Sequence, residues 1–350
     1  MLMKNIKKLS QFKILRSRTV LIFAAFIFLS GCTKDTDSDD DVIGNWKRGY
    51  EFEGVGRTEA VTFTIGDKVY IGGGYDGSDR LQDFWSLDQA TGTWTKIASF
   101  PGIARNSAVA FAASGKGYVG TGYDEDDNKL KDFWEYNPAT NAWTRKADFG
   151  GSARYGAVAF SISDKGYVTT GYDGSYLKDL WEYNPSGDVW TQKASLAGSK
   201  RSDAVTFVYN NMAYVVSGFN NGSYLNDFWS YNPTTNAWTE KRKITSVSDD
   251  DYDDDYGNNI LRSNAMAFVM NNKAYLTGGN YSGIIATTWE YDFANDTWKK
   301  KTGFEGTARE GGIGFSINNR GFIVTGNNSS YRFDDLWEFF PEADQTNEDN

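Results

Sequence analysis

The 350-residue chain contains no histidine, one cysteine and five prolines. Without imidazole it can hold no histidine-dependent catalytic triad and no histidine-ligated zinc or copper. A lone cysteine, Cys32, has nothing to pair with, so an intrachain disulfide framework is excluded. The apolar run Val20–Leu29 is about half of the ~20 residues that a helix needs to cross a bilayer. Basic residues are outnumbered, 36 against 46 acidic. That balance disfavours nucleic acid, whose phosphates are held by many lysine and arginine contacts. Aromatic side chains are plentiful, at 16% with 12 tryptophans, and there are 37 glycines.

Lys4, Lys7, Lys8, Lys13, Arg16 and Arg18 precede the apolar run, and Leu29-Ser30-Gly31-Cys32 follows it. Basic region, short apolar region and small residues in that order read as a signal segment over 1–31. The four residues resemble the lipobox of bacterial lipoproteins. The resemblance implies cleavage before Cys32, a thioether-linked diacylglycerol on its sulfur and an acyl group on its new amino terminus. More than one chain is what stable anchoring requires. The other reading of Cys32 is a buried thiol. Residues 32–43 are polar and acidic and read as a tether. Within them Ser38-Asp39-Asp40-Asp41 resembles the acidic signal that sends Bacteroidota lipoproteins to the outer face of the outer membrane. Residues 1–31 hold six basic and no acidic groups, so their removal leaves 30 basic against 46 acidic and a net charge of −16.

All 12 tryptophans fall on a grid. Trp85, Trp134, Trp181, Trp229, Trp289 and Trp337 form one set, and Trp94, Trp143, Trp190, Trp238 and Trp298 each follow by nine residues. The sixth follower is missing at Thr346 and turns up at the other end of the chain, as Trp46. Arg57, Arg105, Arg154, Arg201 and Arg309 lie eleven residues after a second-set tryptophan, with Trp46 preceding Arg57. Arg262 comes thirteen residues late, behind an insertion. Repeats of 47–49 residues made of short β-branched and aromatic segments predict a propeller or solenoid. A last quarter-repeat supplied from the N-terminus predicts ring closure, which removes open sheet edges. In the third repeat the strands read as Gly156–Ile162, Gly166–Thr170, Asp179–Tyr183 and Val189–Lys193. The fold expected is all-β: a six-bladed propeller of four-stranded blades over 44–341, its last blade closed by the strand around Trp46, followed by a polar tail over 342–350.

Gly72-Gly73-Gly74 and Gly278-Gly279 after the second strand, an aromatic in the third and a tryptophan in the fourth resemble Kelch repeats. Thr121-Gly122, Thr170-Gly171, Ser217-Gly218 and Thr325-Gly326 depart from the glycine pair, on the expectation that only its last position needs an unusual backbone angle. The tryptophans read as packing between blades. Asp83, Asp132, Asp179, Asp227 and Asp335, replaced by Thr287 in the fifth repeat, are expected to bond turn backbone.

Chain direction alternates, so the loop entering a first strand and the loop leaving a second share one face. That rim carries Arg57, Arg105, Arg154, Arg201, Arg262 and Arg309. It also carries Tyr75 and Asp76, Tyr123 and Asp124, Tyr172 and Asp173, Phe219 and Asn220, Asn280 and Tyr281, and Asn327. Each arginine either meets a ligand or ties the blades together through carbonyls and the nearby aspartate. In Kelch propellers this rim is the usual binding face, which the resemblance extends to this chain. The insertion Ser246–Ile260 enters the same rim and offers Asp251, Asp253 and Asp255 as a candidate calcium site, without the glycine and glutamate spacing of an EF-hand.

Many bacterial Kelch proteins resemble galactose oxidase. That chemistry needs imidazole on copper and a cysteine cross-linked to a tyrosine, so this sequence excludes it. The leading expectation is an envelope-anchored module binding a protein or a glycan through the rim, with no cofactor. The enzyme alternative is a sugar mutarotase or epimerase using Glu59, Asp203 and Glu310, just after the rim arginines, as acid and base. A third reading is a structural partner in an envelope complex.

Overall fold

The computed structural model describes residues 42–346. The signal segment, Cys32 and the tether up to Asp41 lie outside the described residues. Six antiparallel four-stranded sheets follow one another along the chain. In the third, Val158–Ile162, Lys165–Thr169, Leu180–Asn184 and Val189–Lys193 run from the innermost to the outermost position, within two residues of the boundaries expected from sequence. The innermost strand of each sheet contacts that of the next, and Val61–Ile65 of the first meets Ile313–Ile317 of the sixth, which closes a ring. The architecture is a six-bladed β-propeller.

Closure takes the form predicted from Trp46. Asn45–Arg48 is the outermost strand of the sixth blade and pairs with Leu336–Phe340, Trp46 opposite Phe339. The Trp46 ring is fully buried between Phe339, Phe304 and Phe268, the last from the fifth blade. The same arrangement recurs: Trp143 of the second blade packs edge-on against Phe84 and Phe100 of the first. A buried tryptophan covers ~150–250 Å², so this one side chain per blade supplies much of the apolar contact between neighbours. The described part of the tail stays on the sixth blade, where the Thr346 amide donates to Asn45 Oδ1 at 3.1 Å.

A ring of backbone hydrogen bonds closes the axis. Two residues after each arginine stand Glu59, Ser107, Gly156, Asp203, Asn264 and Gly311, all in the left-handed region with φ of 49–62°. Each donates its N–H to the carbonyl of the residue before it in this set, Glu59 to Gly311, at 2.7–3.1 Å. The next residue, Ala60, Ala108, Ala157, Ala204, Ala265 or Gly312, is small and lines an axial channel of about 330 Å³.

Both residues of the glycine-pair position lie at positive φ, a correction to the expectation that only the second does. Gly73, Thr121, Thr170, Ser217, Gly278 and Thr325 sit at 52–66°, an angle that threonine and serine reach at a cost. The second position lies at 87–99°, and a Cβ there would come within 2.6–2.9 Å of a carbonyl oxygen, so glycine is required.

Candidate functional site

The six arginines are not part of the rim's outer surface. Each is buried, with at most 2% of it exposed. Arg154 shows the pattern: Nε donates to Ser152 O, Nη1 to Thr170 O at 2.9 Å and Asp179 Oδ1 at 2.6 Å, and Nη2 to Asp179 Oδ2 at 2.8 Å. Arg57, Arg105 and Arg309 engage Asp83, Asp132 and Asp335 in the same two-pronged way, whereas Arg201 reaches Asp227 through Nη2 alone, at 2.7 Å. These donors are consumed inside the blade. The arginines as ligand contacts are therefore corrected to internal ties through carbonyls and the nearby aspartate, made within a blade rather than between neighbours as the other reading of the sequence had it. The aspartates bind guanidinium and indole rather than turn backbone: Trp85, Trp134, Trp181, Trp229 and Trp337 each donate Nε1 to the aspartate two residues earlier, at 2.7–2.8 Å. Burial alone would raise the carboxyl pKa of Asp179, but the Arg154 hydrogen bonds and charge outweigh it and hold the group below the usual range.

The fifth blade lacks this partner. Arg262 meets only neutral oxygens, among them Thr287 Oγ1 at 2.9 Å and Gly278 O at 2.9 Å, and burial pushes its guanidinium down to about 9. Trp289 Nε1 is buried without a partner. Thr287→Asp would supply an acceptor to both groups, as in the other five blades. We predict a gain of about 2 kcal/mol in unfolding free energy, read by urea titration; no gain would mean that an aspartate at this position does not reach Arg262.

The insertion also departs from expectation. Rather than lining the rim, it packs on the outermost strand of the fifth blade, Thr297–Lys301, where the Tyr256 hydroxyl accepts the Trp298 N–H at 2.5 Å. It thus covers a sheet edge. The buried Asp253 accepts the amides of Val247 and Ser248 at 2.9 and 3.0 Å, while Asp251 and Asp255 are exposed. Among the described residues no three acidic side chains gather as a cation cage, so the calcium candidate is not assembled.

The rim that remains is concentric. At its centre Glu59, Ser107, Asp203 and Asn264 surround a mouth of about 140 Å³ above the channel. Glu59 accepts the Asn106 amide at 2.6 Å and the Ser107 hydroxyl; Asp203 accepts the Ser202 hydroxyl at 2.7 Å. Asp203 is pushed up to about 7, first by burial and then by the charges of Glu59 and Glu310, against the Ser202 hydrogen bond. Burial also raises Glu310, with the Glu59 charge adding to it and an Asn280 hydrogen bond opposing. The three carboxylates proposed from sequence therefore converge, and none makes an ion pair with a described residue.

Around the mouth runs an arc of partly exposed aromatic rings. Tyr123, Tyr155, Tyr172, Tyr176, Phe219, Tyr224 and Tyr281 follow one another with centroids 4.8–6.4 Å apart, across the second to fifth blades. Tyr75 stands at the open end of the arc beside Arg80, whose guanidinium lies 4.6 Å from the Tyr123 ring. Of the other expected rim residues, Asp76, Asp124 and Asp173 cap the turns through backbone amides. Asn280 accepts the Tyr224 hydroxyl, Asn327 accepts the Thr58 hydroxyl, and Asn220 is partly exposed. Sequence reasoning missed Arg80, Tyr155, Tyr176 and Tyr224. Their signal was position: Tyr155 directly follows an arginine, and the others stand five or six residues after the obligatory glycine, where the hairpin returns.

A fold of this kind defines a β-propeller with one elaborated face. The chain belongs to the Kelch-repeat family: the KLHDC2/KLHL20/DRC7 Kelch-repeats domain matches residues 46–151 and 100–249, together more than half of the chain. Kelch propellers commonly serve as protein-binding modules. A solved structure titled "Structure of YjhT" is similar in fold, with a TM-score of 0.68 at 20% identity over 82% of this chain and 95% of that one. No curated protein matches the chain.

Proposed function

We propose that this protein is a binding module that recognises a protein partner through the aromatic arc and the axial mouth. The lipid on Cys32 would hold it to the outer membrane, with the acidic tether extending it on the cell surface. The continuous arc of partly exposed rings carries this reading. Aromatic residues supply large contact areas at low entropic cost and are enriched where partners bind. The asymmetry supports it as well, because the buried arginine recurs in every blade whereas the rings touch one another in an unbroken run only across the second to fifth, with Tyr75 and the exposed Tyr331 standing apart on the first and sixth. A glycan is the other occupant that stacking rings and amides would suit.

The experiment is a protein and glycan array probed with the soluble propeller and with Tyr172→Ala/Tyr176→Ala. Loss of at least tenfold in signal is expected in a variant that keeps its circular dichroism. A signal untouched by the double substitution would reject the arc. Palmitate labelling of the full chain, absent in Cys32→Ser, tests the anchor, and protease shaving of intact cells tests the surface address.

A second reading, acid–base exchange on a small sugar, is favoured by one observation: a carboxyl near pKa 7 faces the mouth with two others around it. Anomer exchange by purified protein, lost in Asp203→Asn, would establish it. Rates equal to buffer would dispose of it.

A further inference from the structure

The seams between blades are filled by a repeating pair. Tyr136, Tyr183, Tyr231 and Tyr291, on the third strands of blades two to five, donate their hydroxyls to Asn141, Asp188, Asn236 and Asp296 at 2.7–2.9 Å. Those same side chains accept backbone N–H groups of the preceding blade, from Ala98, Ala147, Ala194 and Arg242, at 2.9–3.2 Å. One tyrosine and one short polar side chain thus fill and clasp these four seams, while in the sixth blade Phe339 stands in the tyrosine's place.

The first blade has neither. Leu87 pairs with Trp94 as Tyr136 pairs with Trp143, so register puts leucine in the tyrosine's place, and the acceptor's place is taken by Gly92 with the Tyr50 ring lying against it. A groove of about 540 Å³ is left between the sixth and first blades, within the size range of ligand sites. Tyr50, Leu87, Phe322 and Leu336 give it apolar walls, and among its charged groups Lys47, Arg48 and Arg320 outnumber Glu338. Both arginines hold a carboxylate, Glu51 and Glu338, yet nearly half of each arginine side chain is exposed.

We propose that this groove receives an aromatic side chain with a carboxylate next to it in sequence, presented by a partner polypeptide. The ring takes the space of the tyrosine that blade one lacks, and the carboxylate meets Arg48 and Arg320. This site is separate from the rim and does not depend on the rim's role.

The test is calorimetric titration of the propeller with acetyl-Gly-Tyr-Glu-Gly-amide, with Gln for Glu and Ala for Tyr as comparison peptides. The Tyr-Glu peptide is expected to bind about tenfold more tightly than either. Leu87→Tyr, which puts the missing ring in the seam and leaves Gly92 against the Tyr50 ring, should abolish that binding. Arg48→Glu, on an exposed side chain, should erase the preference for Glu over Gln, and it decides the question if the Leu87 variant does not fold. Tyr172→Ala/Tyr176→Ala should bind as wild type, which separates this site from the rim. Equal affinity for all three peptides, or wild-type affinity in the filled or charge-reversed variant, would overturn the proposal.

Discussion

Arg154→Ala is expected to lower the unfolding free energy by about 3–5 kcal/mol, the range for breaking one side of a buried ion pair. The Arg154 guanidinium has no exposed surface and joins Asp179, the Thr170 carbonyl and the Ser152 carbonyl. Truncation leaves Asp179 with the Trp181 indole and little else. Urea unfolding measures the loss, and a change under 1 kcal/mol would show that the tie is dispensable. Any fall in ligand capture by this variant should then track its unfolded fraction. The acid branch follows from the same pairs. Asp83, Asp132, Asp179, Asp227 and Asp335 all have carboxyl pKa values depressed by their arginine, after the opposing effect of burial. A depressed folded pKa contributes stability above the unfolded value near 3.9, and that stability is lost as pH falls through the folded value. The protein should unfold cooperatively in acid below pH ~4.

Asp203→Asn should stabilise the propeller at pH 8 by as much as about 4 kcal/mol and at pH 4 by only about 0.5 kcal/mol. The arithmetic is a carboxyl raised from 3.8 to about 7, at 1.36 kcal/mol per pH unit. The sign is opposite to that of the paired aspartates. A raised folded pKa means that the native state holds its proton more tightly, so stability is highest below the unfolded pKa and declines as pH rises towards 7. Asparagine carries no such charge and tolerates the left-handed backbone that Asp203 adopts. Paired denaturation curves of wild type and variant at pH 4, 6 and 8 measure the difference. A constant difference across that range would mean that Asp203 titrates as an ordinary carboxylate. Native proteins place such unfavourable charges where a partner needs them, which links this measurement to the mouth's role.

The ring could be read from tryptophan spacing because each blade is one copy of a unit that must bury the same side chains against its neighbour. A displaced Trp46 therefore had to belong to the sixth sheet. The convergence of Glu59, Asp203 and Glu310 was also legible, since a fixed offset from a repeated arginine fixes distance from the axis. What the arginines do was not. The spacing that marks Arg154 is the same whether its guanidinium turns outward to a ligand or inward to Asp179, and only packing selects between them. The insertion defeated sequence reasoning for a related reason. Its acidic run suggested a cation site, but Tyr256 and Ile260 carry the apolar area that docks it on the outermost strand.

By itself, then, the sequence determined the number of blades, the source of the closing strand and the face on which the loops gather, because these follow from periodicity and chain direction alone. The tertiary structure decided which side chains of that face reach solvent. It also revealed the unfilled seam beside Leu87 and Gly92, since burial and voids depend on contacts between blades that no single repeat encodes.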